Sequence, residues 1–269
     1  MKTRPHLHNE LLYQHIYEEN NKKKSKDIII VVHDQLSFLE KCIESIYKNT
    51  ENFTLYIWDN DSMPPTREYL EDLERNKDNI VLLQNSENIG FIIPNNELVK
   101  LGNSDYIILL NSDTEVAKGW DTAMIGWLEN NPNCGIVGYQ GSTLQEDGSG
   151  SGNYCSGSNI DYICGWCLCL SREKVYNKIG LFDDKNLIFA YGEDSDFSLK
   201  IKEIGMDIYS LHIQLVTHYG NKTSFEVMKE RDTSFSFQNN HKFIRSRWDN
   251  YLKYDRQELK IHTGENQET

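Results

Sequence analysis

Apolar residues come in short runs separated by polar, turn-forming clusters. Ile28-Ile29-Ile30-Val31-Val32 is a continuous β-branched run, the pattern of a strand buried on both faces. Ser37-Phe38-Leu39-Glu40 then has capping-box spacing, and Leu36, Leu39, Cys42, Ile43 and Ile46 fall on one helical face. A second strand is predicted over Thr54 to Trp58, ending at Asp59-Asn60-Asp61-Ser62. Pro64-Pro65 opens a helix marked by Tyr69, Leu70 and Leu73. Ile80 to Leu83 reads as a third strand, followed by Asn88-Ile89-Gly90-Phe91. Tyr106 to Leu110 is a fourth, ending in Asn111-Ser112-Asp113; Trp120 to Leu128 is helical, and Cys134 to Val137 is a fifth strand.

The second half changes character. Residues 141–159 are rich in Gly, Ser, Asn and Asp and predict a long mobile loop that orders over a ligand. Ile160 to Leu170 is apolar again, and Val175 to Phe182 predicts a short helix closing on Gly180. Glu193-Asp194-Ser195-Asp196 opens a helix through Leu199, Ile201 and Ile204 that stops at Gly205. A last strand is predicted over Ile208 to Val216, leading into His218, and a helix from Glu226 to about Tyr254.

Strands alternating with helices imply right-handed βαβ units and a mainly parallel sheet. Such sheets bind ligands beyond the carboxyl ends of their strands, near the topological switch. Three polar clusters fall at those ends: His33-Asp34, Asp59-Asn60-Asp61 and Asn111-Ser112-Asp113. One such cluster is explained by turn preference alone; three in register point to a binding site.

Acidic residues outnumber basic ones 41 to 28 over 269 residues. That balance argues against nucleic acid as a partner, because phosphate backbones are held by Lys/Arg patches. It leaves room for a small anion held by a metal or by helix N-termini. No stretch approaches the roughly 18 apolar residues of a membrane span, and residues 1–26 lack the apolar core of a signal peptide. Six cysteines in such a chain read as reduced thiols, giving a soluble cytoplasmic protein. The run Lys22-Lys23-Lys24-Ser25-Lys26 is a solvated linker, or, in the sharper reading, a peripheral contact with the inner face of an anionic membrane.

Asp113 follows a buried strand end, where a carboxylate is costly unless it is paired or binds a cation. Oxygen ligands suit Mg²⁺ or Mn²⁺, and His218 is a second candidate ligand because imidazole suits Mn²⁺. Glu193-Asp194-Ser195-Asp196 packs three carboxylates into four residues. A carboxylate desolvated beside like charges acquires the raised pKa of a general base. Asp196 reads instead as a charge complementing the helix dipole. Asp194 and Asp196 project about 200° apart on a helix, so they cannot both serve one acceptor hydroxyl. Cys164, Cys167 and Cys169 lie in an otherwise apolar stretch and read as buried thiols rather than a zinc site.

The order of these motifs resembles family 2 of the glycosyltransferases, with the nucleotide-sugar-binding GT-A fold, and especially its rhamnosyltransferase-like branch. The likeness runs from about Asp27 to Gly220. It takes in Val31-Val32-His33-Asp34, Trp58-Asp59-Asn60-Asp61-Ser62, Asn88-Ile89-Gly90-Phe91 with Asn96, and Asn111-Ser112-Asp113 in place of a D-x-D motif. Gln145-Glu146-Asp147-Gly148, Tyr162-Ile163-Cys164-Gly165, Gly180-Leu181-Phe182-Asp183, Glu193-Asp194-Ser195-Asp196 and His218 complete it. The resemblance implies an α/β GT-A fold: a Rossmann-like, mainly parallel central sheet flanked by helices, with a smaller acceptor-side sheet. It implies donor contacts from His33, Asp59, Asn88, Asn111 and Ser112, and a Mn²⁺ or Mg²⁺ on Asp113 and His218. Asp194 would be the base, Glu193 would help hold the acceptor, and Gly165, Trp166 and Tyr191 would lie on the acceptor side. Val32-His33 and Ile92-Ile93-Pro94 with Leu98 depart from the family's usual residues.

The reading is a metal-dependent inverting transferase, moving a hexose or deoxyhexose from a nucleotide diphosphate sugar to a hydroxyl of a glycan or lipid-linked acceptor, as in polysaccharide biosynthesis. Residues 1–26 form a polar appendage, 27–225 the transferase domain (27–140 for the donor, 141–225 for the acceptor and catalysis), and 226–269 a helical tail. A silent nucleotide-sugar- or glycan-binding module is the alternative. A sugar nucleotidyltransferase would want a glycine- and basic-rich loop where Asp34-Gln35-Leu36-Ser37 stands.

Overall fold

The computed structural model describes residues 24–220 and 234–255. The expectations for residues 1–23, 226–233 and 256–269 lie outside them.

A seven-stranded sheet forms the centre, its strands in the spatial order Asp207–Ser210, Cys134–Gly138, Cys167–Ser171, Tyr106–Leu110, Lys26–Val32, Phe53–Asn60, Ile80–Asn85. Its first strands are β1 (Lys26–Val32), β2 (Phe53–Asn60), β3 (Ile80–Asn85) and β4 (Tyr106–Leu110). Strand β1 pairs in parallel with β2 and β4, and β2 with β3. The chain therefore steps outward from β1 to β3 through α1 (Leu36–Asn49) and α2 (Pro64–Asn76), then returns through α3 (Ile92–Leu101) to the other side of β1. The direction reverses between β1 and β4, which places the topological switch, and the expected ligand crevice, beside His33 and Asn111. Helix α1 buries Leu39, Cys42, Ile43 and Ile46, and each fully buried aliphatic contributes about 1.5–3 kcal/mol.

Short β5 (Thr114–Val116) leads to α4 (Trp120–Asn130) and β6 (Cys134–Gly138), a strand buried throughout. Strand β10 (Cys167–Ser171) is antiparallel to both β4 and β6, and β11 (Asp207–Ser210) is parallel to β6. A π-turn, Arg172–Tyr176, runs into the single turn α5 (Asn177–Ile179) and closes on Gly180. Helix α6 spans Glu193–Glu203, and the C-terminal helix α7 spans Ser234–Arg247.

Four local expectations are corrected. Residues 141–159 are not a loop. They form a hairpin, β7 (Gly141–Leu144) and β8 (Gly150–Cys155), which with β9 (Tyr162–Ile163) makes a three-stranded sheet. Strand β8 is an exposed edge strand, so no apolar alternation marks it. The strand expected over Ile208 to Val216 is two: β11 in the central sheet and β12 (Val216–His218), which pairs with β5. Ser37 does not cap α1; that helix starts after Asp34 and Gln35, both left-handed (φ 55° and 59°). The segment after Phe91 is helical, with Pro94 in the first turn, where its missing N–H has no intrahelical partner to lose. Finally, Lys26 is no solvated linker residue. It starts β1 with 0 % exposure, its Nζ 2.7 Å from Asp121 and donating to the Glu51 carbonyl at 2.8 Å.

Candidate active site

The β1–α1 and β2–α2 turns are laced together at the carboxyl edge of the sheet. The His33 Nδ1 lies 2.9 Å from the Asn60 carbonyl, which can only accept, so this nitrogen carries the proton. The Asp34 N–H donates to Ser62 Oγ (2.9 Å), and the Met63 N–H donates to Asp34 Oδ1 (2.7 Å). Asp59, fully buried, accepts from the Ser62 N–H (3.0 Å), from Gln84 Nε2 (3.3 Å) and from Arg67 Nε (3.4 Å). Asn88 joins side chain to backbone: its Oδ1 accepts from Asn60 Nδ2 (2.8 Å) and from the Gly90 N–H (2.9 Å). Asn60 also donates to the Gly90 carbonyl and accepts from the Ile89 N–H, so it is the clamp of this turn.

The second group of residues follows β4. The antiparallel ladder sets His218 opposite Thr114, and the Tyr219 N–H donates to the Asp113 carbonyl at 2.9 Å. This register brings His218 Nε2 to 3.1 Å from Asp113 Oδ1. Ser112 and Asp113 are buried and His218 is half-buried. Trp166 stacks on the imidazole, with ring centroids 4.8 Å apart and planes at 15°, and its Nε1 is fixed by Gln140 at 2.8 Å. The Trp166 carbonyl accepts the Asn111 N–H at 2.9 Å.

One residue earlier, the Gly165 N–H donates to Asp194 Oδ2 at 3.0 Å. Asp194 Oδ1 accepts from the Ser195 N–H (2.7 Å) and from Ser195 Oγ (3.3 Å). Burial raises the Asp194 pKa above the ordinary carboxylate range, while these donors pull it back down. Glu193 is less well supported: backbone N–H groups of Tyr191 and Glu193 favour its charge, but it is buried and, among the described residues, Oε2 has no hydrogen-bond partner. Desolvation first, and then the Asp194 charge, push its pKa up to about 8. Two adjacent carboxyls thus have different protonation preferences, the arrangement that separates an acid from a base.

Asp196 stands in the first turn of α6, where a charge complements the helix dipole, and it has a second role as well. It is fully buried, its Oδ1 accepting from Trp248 Nε1 at 2.9 Å with Arg247 Nη1 at 3.5 Å, so it tethers α7 to α6. Tyr191, left-handed at φ 76°, turns its ring edge to Phe237 of α7. The structure therefore gathers Asn111, Asp113, Gly165, Trp166, Asp194 and His218 into one connected group. It collects His33, Asp59 and Asn88 around the Asn60 clamp, and it places Tyr191 against the C-terminal helix. Gln140 escapes sequence reading altogether, and the roles of Asn60 and α7, though both lie in segments the sequence singles out, escape it too, because nothing local marks a side chain whose partners lie far along the chain.

Among the described residues no group of three or more His, Cys, Asp or Glu side chains could hold a metal by itself. Cys164, Cys167 and Cys169 are free and buried, and burial raises each thiol pKa, as the thiol reading expects. No described helix is long and apolar enough to cross a membrane.

The fold is the GT-A fold. Its solved likenesses include GalNAc-T7 with UDP, GalNAc and Mn²⁺ (TM-score 0.62, 15% identity, 72% of this chain and 44% of that one). They also include the Pyrobaculum calidifontis mannosyltransferase PcManGT with GDP-Man and Mn²⁺ (0.53, 15%, 76% and 63%). Residues 1–349 of S. aureus TarS are a third (0.55, 14%, 77% and 64%). The chain thus spans between 44% and 64% of the length of these structures. No curated protein matches its sequence. The family model for glycosyl transferase family 2 matches residues 27–186, more than half of the chain, and the protein belongs to that family.

Proposed function

We propose that the protein is an inverting glycosyltransferase of the rhamnosyltransferase-like branch. It moves a hexosyl or deoxyhexosyl group from a nucleotide diphosphate sugar to a hydroxyl of a glycan or lipid-linked acceptor. The observation that carries this reading is the two-residue bridge Gly165-Trp166. Its N–H fixes Asp194, its carbonyl fixes Asn111, and its ring orients His218. A base and a ligand pair for the diphosphate are thereby mounted on one rigid piece, as a displacement between two substrates requires.

The donor set fits Mn²⁺ or Mg²⁺. Asp113 Oδ1 and His218 Nε2 converge to 3.1 Å, a carboxylate oxygen and an imidazole nitrogen of the kind that would hold such a cation. The protein would supply this pair, leaving other positions to phosphate oxygens and water, and the bound cation would stabilise charge on the departing diphosphate. The Asp194 carboxylate, held by Gly165 and Ser195, takes the acceptor hydroxyl proton as that oxygen bonds to the anomeric carbon. The bond from that carbon to the diphosphate breaks on the opposite face. Glu193, protonated near neutral pH, is available to donate a hydrogen bond to the acceptor. His33, Asp59, Asn111 and Ser112 line the donor side.

Melting the protein with UDP- and GDP-sugars, with and without Mn²⁺, tests the reading, since a ligand of the folded state raises stability by mass action. Stabilisation that needs Mn²⁺, accompanied by turnover, is expected. Stabilisation without turnover on any acceptor would establish the silent binding module instead.

A further inference from the structure

The loop that delivers the acid pair is held from a distance. Asn240, midway along α7, is fully buried. Its Nδ2 lies 2.9 Å from the Ile188 carbonyl, 3.0 Å from that of Ala190 and 2.9 Å from that of Tyr191. Its Oδ1 accepts the Ile188 N–H at 3.0 Å. A single amide thus gathers three carbonyls and one N–H from three of four consecutive residues.

That loop needs holding. Phe189 (φ 63°) and Tyr191 (φ 76°) both occupy the left-handed region, which is costly for residues with a Cβ and persists only where the surroundings over-determine it. On one side the Phe189 carbonyl accepts the N–H groups of Phe91 and Ile92. Gly90 permits this approach, because a Cβ there would lie 2.4 Å from the Phe189 oxygen. On the other side Gly192 (φ 88°) faces Ile244 of α7, where a Cβ would meet Cδ1 at 2.4 Å. Glu193 and Asp194 follow at once. The donor turn and the C-terminal helix therefore grip the acid-bearing loop from opposite sides, and Asn240 is the polar part of the second grip.

We infer that Asn240 is a positioning residue: its amide holds Ile188–Tyr191 in the turn that sets Glu193 and Asp194 against the Gly165-Trp166 bridge. The inference rests on the transferase reading. Asn240 touches no reacting atom and acts only through the loop backbone. A misplacement of about 1 Å at such a site costs roughly 10²-fold in rate.

The test compares Asn240→Ala and Asn240→Leu with the unaltered protein, each shown to be folded by its melting transition. Leucine restores the volume but none of the hydrogen bonds. Amide exchange is followed over residues 188–194 and, as reference, over 106–113. The second readout is thermal stabilisation by UDP or GDP with Mn²⁺; the third is nucleoside diphosphate release from UDP-GalNAc and GDP-mannose. In both variants, exchange over 188–194 should quicken at least tenfold with 106–113 unchanged. Nucleotide stabilisation should stay, and release should fall about 10²-fold. Unchanged exchange at 188–194, equal quickening everywhere, or full recovery in Asn240→Leu would overturn the inference. Local quickening in a protein that no nucleotide stabilises, with or without Mn²⁺, would uphold the positioning and overturn the transferase reading.

Discussion

The Asp113–His218 pole and the Glu193–Asp194 pole face the same bridge but are built by different means. The first is set by backbone register. Strands β5 and β12 pair residue by residue, and His218 reaches Asp113 because Thr114 is its ladder partner. The second stands on a left-handed turn that is not part of any sheet and is clamped by the Phe91 and Ile92 N–H groups on one side and by Asn240 on the other. A ladder resists local distortion because every neighbouring bond must shift with it. A clamped turn is only as good as its most distant clamp. Metal-side geometry should therefore tolerate substitutions that acid-side geometry does not.

The largest effect should come from Asp194→Asn. It keeps the shape but cannot take a proton, so turnover should fall about 10²–10⁴-fold while nucleotide affinity barely changes. Asp196→Asn should lose far less turnover and instead lower the melting temperature, because Asp196 ties α7 down through Trp248. Measuring kcat and nucleotide affinity for both variants separates the two acids; equal turnover losses would erase the contrast.

Next in size is a purely structural loss. Lys26→Ala leaves Asp121 buried without its cation, and breaking a buried pair costs about 3–5 kcal/mol in denaturant unfolding. Arg75→Ala, removing an exposed pair with Asp72, should cost within about 0.5 kcal/mol. If the two cost the same, β1 does not begin at Lys26 as a buried strand.

The same division explains what was legible in the sequence. The parallel strands are readable because β1 and β4 are buried on both faces and show unbroken apolar runs. The roles proposed for Asp113, His218, Glu193 and Asp194 come from the sequence because each sits at an element's end beside other polar residues. Strand β8 is not readable, since an exposed edge strand of Gly, Ser and Asn carries no alternation. Lys26 is misread because a lysine in a basic run carries no mark of its partner Asp121, which is far along the chain. The tether made by Asp196 is missed for a related reason: its partner Trp248 lies just beyond α7, far along the chain, and helix-dipole preference is the only local signal available. Asn240 looks like any polar residue of an amphipathic tail.

Asp113→Ala should abolish the Mn²⁺-dependent part of nucleotide stabilisation, about 2.7 kcal/mol at a hundredfold excess over Kd. His218→Ala should retain some of it, because the carboxylate supplies the charge. Full stabilisation of both variants in EDTA would detach this pole from the metal. The basal melting temperature should move little, because the β5–β12 ladder does not depend on either side chain.

The smallest and most graded effect concerns Glu193. Its folded pKa, about 8, lies above the usual 4.5 because burial, and then Asp194, disfavour the charge. The folded state therefore binds more protons than the unfolded chain between those values. Stability from this group is fully present below about pH 4.5 and is lost as pH rises through 8, with a slope of at most about 1.4 kcal/mol per pH unit. Glu193→Gln keeps a neutral side chain at every pH and should flatten that decline, so the variant gains on the unaltered protein between pH 5 and 8.5. Asp194→Asn should flatten the decline as well, because burial also raises the Asp194 pKa and its charge helps raise that of Glu193. It replaces one of the oxygens that accept from Gly165 and Ser195 with an NH₂, however, and so starts from a lower stability. Melting both variants across that range decides the point. Parallel curves for Glu193→Gln and the unaltered protein would mean that the Glu193 carboxyl finds a partner or water when folded, and that the clamped turn does not hold it dry.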